Sequence, residues 1–134
     1  QNVIHNLLWN NYKLIDSMTT DKRGIKGTTS DVSKALQEWL SNYEKVQFIS
    51  DVCHYDFVLL LDLLVPDALR LPDNISMYCH DINQDIAKYF GISDREAFDK
   101  NREKLCGIPD GDGNKHNSLW DAKVIKKVYE VINS

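Results

Sequence analysis

The sequence predicts an α/β domain, on three observations. Two short β-prone segments, Lys45–Ser50 and Asn74–Cys79, are each followed by apolar residues at helical spacing. No tight turn links the two segments as a hairpin. The other periodic stretches are helical, so about six helical segments surround two strands.

Taken in order, Val3, Ile4, Leu7 and Leu8 open the chain already in helical register, which extends toward Leu14 and Ile15. Asp16 to Ser30 is polar and carries Gly24, Gly27 and four threonines, so it reads as a loop. Val32, Leu36, Trp39 and Leu40 then mark one face of a helix capped by Ser30 or Thr29 and ending near Asn42. After the first strand, Ser50 to His54 turns into a helix over Tyr55–Leu64. It is apolar on all sides, so it is expected to be largely buried, and Pro66 closes it.

The second strand leads into Ile82, Ile86, Tyr89 and Phe90, a helix that Gly91 stops. Ser93-Asp94-Arg95-Glu96 has the form of a capping box before another helix running toward Leu105. Cys106 to Lys115, with three glycines and a proline, is a loop before the last helix, whose stripe is Val124, Ile125, Val128, Val131 and Ile132. Two strands this short do not make a stable sheet alone, so further strands are expected from upstream residues or another chain.

With 134 residues, 43% of them hydrophobic, residues 1–134 suffice for one domain with one core. The formal net charge of -4 argues against a broad electrostatic footprint on duplex nucleic acid, though not against a narrow single-strand groove. The longest apolar run, Phe57 to Val65, contains Asp62 and is too short to cross a bilayer, and no signal-peptide pattern opens the chain. Three cysteines, an odd number without framework spacing, fit a reducing compartment, so a cytoplasmic location without membrane attachment is expected.

The candidate chemistry lies in two acids and a histidine. One helical turn back from Ile125 stands Asp121, a carboxylate at the head of an apolar stripe, and burial there is unfavourable unless the acid is paired or bound to a cation. The plain reading of this window is Ser118 as N-cap with Asp121 in the first turn. Asp56 stands at the start of the other apolar helix, just after a strand, where sites collect in open α/β sheets. Two such carboxylates repel unless a divalent cation joins them, and Mg²⁺ or Mn²⁺ suits hard oxygen ligands. With His116 beside Asp121, the set provides two metal-binding acids and a general base, the parts of a two-metal phosphodiester hydrolysis.

His116-Asn117-Ser118-Leu119-Trp120-Asp121-Ala122 resembles the third motif of the DEDDh 3′→5′ exonucleases, a histidine and an aspartate with four residues between. Cys53-His54-Tyr55-Asp56-Phe57-Val58-Leu59-Leu60 is similar to their second motif. Within that group the chain most resembles the small bacterial and phage ribonuclease T-like exoribonucleases, also over Asn2–Leu8 and the helix around Trp39. The resemblance implies a ribonuclease H-like three-layer α/β/α fold and two divalent ions, Mg²⁺ or Mn²⁺. It implies Asp56 and Asp121 as metal ligands, His116 as general base, single-stranded 3′ ends as substrate with RNA preferred to DNA, and a homodimer. The family's first motif, Asp-x-Glu on the first strand, is not found before Val3, so the sequence reads as a carboxy-terminal portion lacking the amino-terminal strands. That leaves a non-catalytic binding or assembly module as the alternative. Asp94-Arg95-Glu96 has the right letters but opens a helix, where capping is the plainer role.

Three other signals read as ordinary structure. Asp110 to Asn114 departs from a calcium loop, since Lys115 stands where glycine is needed. Cys53-His54 and Cys79-His80 are adjacent pairs whose side chains diverge in extended chain, a poor chelate. Asp51 reads as a helix-entry residue and Asp62 as pointing away from Asp56. Of Trp9, Trp39 and Trp120, only Trp120 adjoins a candidate site residue, and aromatics at helical spacing are usually core.

Overall fold

The computed structural model describes residues 27–109 and 118–134. Helix accounts for 61% of it, with one two-stranded parallel sheet among the described residues, so the chain is a helix-rich α/β protein. No helix among the described residues is long and apolar enough to cross a membrane. The expected helix over Val3–Ile15 lies outside the described residues. Those described fall into two compact units that divide between His80 and Asp81.

In the first unit, α1 spans Thr29–Leu40, and its cap falls just ahead of the Thr29 or Ser30 expected. Thr28 is the N-cap: its hydroxyl accepts from the Asp31 N–H while the Asp31 carboxylate accepts from the Thr28 N–H, a reciprocal capping box. At the other end Ser41 closes the helix, and the Asn74 side-chain amide donates to the carbonyls of Leu40 (3.1 Å) and Tyr43 (2.9 Å). Orphan carbonyls at a helix end are thereby satisfied from 31 residues or more along the chain.

The first strand pairs by a parallel bridge between Val46 and Ile75 and then as β1, Ile49–Ser50, beside β2, His80–Asp81. The bridge is flanked by Val46 N–H to Asn74 O (2.7 Å) and Ser76 N–H to Val46 O (2.8 Å), and pairing resumes with His80 N–H to Phe48 O (2.8 Å). The second strand therefore differs from the Asn74–Cys79 expected. A bend at Met77 and Tyr78 interrupts it, leaving both side chains exposed.

Helix α2, Cys53–Leu64, follows β1 directly and ends where Val65 turns extended ahead of Pro66. It is not largely buried as its composition suggested: Tyr55, Val58 and Leu59 are 63%, 59% and 56% exposed. Its packed stripe is Phe57, Leu60, Leu61 and Leu64, one turn apart along one face. Leu64 joins Leu40 and Ile75 in a small core, against which Leu36, Val46, Phe48 and Leu60 pack. The Gln37 side-chain amide adds a bond to the Leu64 carbonyl at 2.6 Å.

In the second unit, α3 spans Ile82–Phe90. Asp81 caps its start through the Asn83 N–H, and Gly91 ends it in the left-handed conformation (φ 64°). The Ser93–Glu96 capping box is present and opens α4, Asp94–Asp99. The single helix expected to reach Leu105 is broken. Lys100 turns extended, and the Asn101 side chain accepts from the Lys104 N–H to start α5, Arg102–Leu105. The Arg102 guanidinium donates to the carbonyls of Ala97 and Phe98 at the end of α4 (2.9 and 3.0 Å) and to the side chain of buried Asn83 on α3. The last helix, α6, spans Ser118–Ile132. Ile82, Ile86, Ala87 and Ala97 meet Val124 and Val128 of α6 in the unit's core. A fully buried isoleucine such as Ile82 or Ile86 contributes about 2–3 kcal/mol by leaving water.

Candidate functional site

Asp56 stands where the sequence places it, in the first turn of α2 beyond the carboxyl end of β1. Ser50, the last residue of β1, is buried and fixes that turn. Its hydroxyl donates to Asp56 Oδ2 at 2.7 Å, while its oxygen accepts from the Val52 N–H at 2.9 Å. The Asp56 side chain is exposed, so its carboxylate meets solvent as a hard oxygen donor while Oδ2 accepts from Ser50. Sequence reasoning missed Ser50. The signal available was a hydroxyl ending a strand six residues ahead of the acid, which is common in turns that lead into helices.

Asp121 lies in the first turn of α6. It is half-buried at the head of the stripe that continues through Val124 and Val128, as its spacing implies. Ser118 is the first described residue of that helix, and the residues before it lie outside the described ones. Asp56 belongs to the first unit and Asp121 to the second. His116 and the Asp110 to Asn114 loop lie outside the described residues. Trp120 packs half-buried against the core of the second unit, the ordinary role for an aromatic at that spacing.

The rival acids separate on geometry. Glu96 accepts from both the N–H (2.9 Å) and the hydroxyl (2.7 Å) of Ser93. These bonds hold its carboxyl below the usual range. Asp94-Arg95-Glu96 is thus a helix start, as read. Asp62 is on the exposed side of α2 and Asp51 is half-buried in the turn before it. Among the described residues, no three His, Cys, Asp or Glu side chains group in a way that could hold a metal ion. Asp56 and Asp121 have the donor chemistry that Mg²⁺ or Mn²⁺ prefers, carboxylate oxygen with solvent access at Asp56.

One sulfur from each of the two Cys-His pairs meets the other. Cys53 Sγ, in the first residue of α2, lies 2.9 Å from Cys79 Sγ, just before β2. No protein-family model matches the chain, and no curated protein or solved structure matches it either.

Proposed function

We propose that this protein is a metal-dependent 3′→5′ exonuclease of ribonuclease H-like fold, acting on single-stranded 3′ ends with RNA preferred to DNA. The observation that carries the reading is the Ser50–Asp56 arrangement. It sets an exposed carboxylate beyond the end of a parallel strand, with one oxygen oriented by a hydroxyl. Ligand sites in open α/β sheets collect at such positions. The motif likeness around His116 and Asp121 adds the remaining groups.

In this reading Asp56 and Asp121 hold two Mg²⁺ or Mn²⁺ ions. When bound, these supply Lewis-acid stabilisation of the charge on the leaving 3′ oxygen and lower the pKa of the attacking water. His116 accepts that water's proton as general base. Ser50 keeps the Asp56 carboxylate in one orientation. The homodimer rests on the family likeness and the cytoplasmic location on the cysteine pattern. A second reading, a non-catalytic ribonuclease H-like binding module, is favoured by Glu96, whose carboxylate is held in a helix cap and does not supply an Asp-x-Glu motif.

The test is nucleotide release from single-stranded RNA with Mg²⁺. His116→Ala and Asp121→Asn should each lower the rate by about 10²-fold or more, the usual scale for losing a general base. Asp62→Asn should leave it unchanged. Unchanged rates in both His116→Ala and Asp121→Asn refute the assignment, and oligonucleotide binding without release by the wild type favours the second reading.

A further inference from the structure

We propose that Cys53 and Cys79 form a reversible intramolecular disulfide, a site of oxidation by hydroperoxides at the junction of β1, α2 and β2. The two sulfurs are 2.9 Å apart across 26 residues of chain. Closing the S–S distance to the covalent value, about 2.05 Å, takes a movement of under about 1 Å.

The approach is built by the fold. Parallel pairing at Val46 with Ile75 and at Phe48 with His80 brings the two segments side by side, and the turn Asp51–Val52 returns Cys53 over the end of the second strand. There the Cys53 thiol also donates to the His80 carbonyl at 3.2 Å. Both cysteines are half-buried, so a small peroxide reaches them. Cys106 is half-buried as well. It lies in the other unit, its thiol donates to the Arg102 carbonyl at 3.1 Å, and burial raises its pKa. Low thiolate content makes a cysteine slow to oxidise.

The chemistry balances with hydrogen peroxide as oxidant. The thiolate of one cysteine attacks a peroxide oxygen, the O–O bond breaks, and a sulfenic acid forms as hydroxide leaves. The second sulfur then attacks the first. The S–S bond forms, the S–O bond breaks, and water departs with the proton of the second thiol. Two thiols lose two electrons and the peroxide is reduced to water. The thiol pool of a reducing compartment reopens such a disulfide by thiol–disulfide exchange, and a further equivalent of peroxide closes it again.

Peptide mass mapping of the full chain tests this without reference to nuclease activity. After brief peroxide treatment and alkylation, trypsin separates the three cysteines into Val46–Arg70, Leu71–Lys88 and Leu105–Lys115. The expected result is Val46–Arg70 joined to Leu71–Lys88, lighter by two hydrogens than the sum of the thiol peptides, with Cys106 alkylated. Dithiothreitol should restore both thiols, and Cys53→Ser or Cys79→Ser should abolish the joined species. Linkage through Cys106, overoxidised but unlinked Cys53 and Cys79, or full alkylation of all three cysteines overturns the proposal.

Discussion

Replacing Ser50 with alanine removes the group that orients Asp56, and its cost follows from two bonds. The hydroxyl donates to the carboxylate at 2.7 Å and accepts from the Val52 N–H at 2.9 Å, and Ser50 itself is 7% exposed. The Val52 N–H, half-buried, loses its acceptor at a cost of about 1 kcal/mol. The Asp56 carboxylate is exposed, so water replaces most of what the hydroxyl supplied, leaving a further ~0.5 kcal/mol. Ser50→Ala should therefore destabilise the protein by about 1.5 kcal/mol, read as a fall in the urea midpoint at constant slope. A double-mutant cycle with Asp56→Ala isolates the contact and should give a coupling of about 0.5–1 kcal/mol. Strict additivity of the two substitutions would refute the claim that Ser50 holds Asp56.

Two further outcomes follow from local geometry. Gly91 ends α3 at φ 64° with no atom within 4 Å of where a Cβ would stand, so Gly91→Ala carries only the backbone penalty of about 1 kcal/mol. Gly91→Asn should cost less, and equal thermal midpoints for the alanine variant and wild type would contradict this. Asp31 and Glu96 have carboxyl pKa values lowered by their bonds to Thr28 and Ser93, largest through the hydroxyls. Since the folded values lie below the unfolded ones, both caps contribute fully above the ordinary carboxyl range near pH 4 and lose their contribution as pH falls through the folded values. The stability gap between wild type and an Asp31→Asn, Glu96→Gln double variant should narrow on acidification, and a gap that widens would reverse the assignment.

How much was legible in the sequence depended on whether the signal was local. Gly91 as a helix stop and the Ser93–Glu96 box were readable because the partners lie within one turn of each other. The break at Lys100 was not, because Asn101 offers the backbone a competing side-chain acceptor whose effect on a continuous apolar pattern is invisible. The exposed face of α2 escaped for a different reason. A helix apolar on nearly every side is only weakly amphipathic, and tertiary packing selects the Phe57, Leu60 and Leu64 face.

The second strand shifted because pairing register depends on a partner, and the bend at Met77 and Tyr78 reset it ahead of His80. At the candidate site, the places of Asp56 and Asp121 in the first turns of their helices were visible from periodicity. The Ser50 contact and the meeting of Cys53 with Cys79 needed the fold, since each depends on the chain turning back over the end of a strand.

The proposed nuclease activity requires Asp56 and Asp121 both to bind divalent cation. Titrating the isotopically labelled protein with Mn²⁺ and following amide signals by nuclear magnetic resonance measures that directly. Paramagnetic broadening of the residues around Asp56 and around Asp121, at the same low Mn²⁺ concentration and lost together in Asp121→Asn, is the predicted result. Broadening confined to one of the two helix starts, or none that saturates, would contradict it.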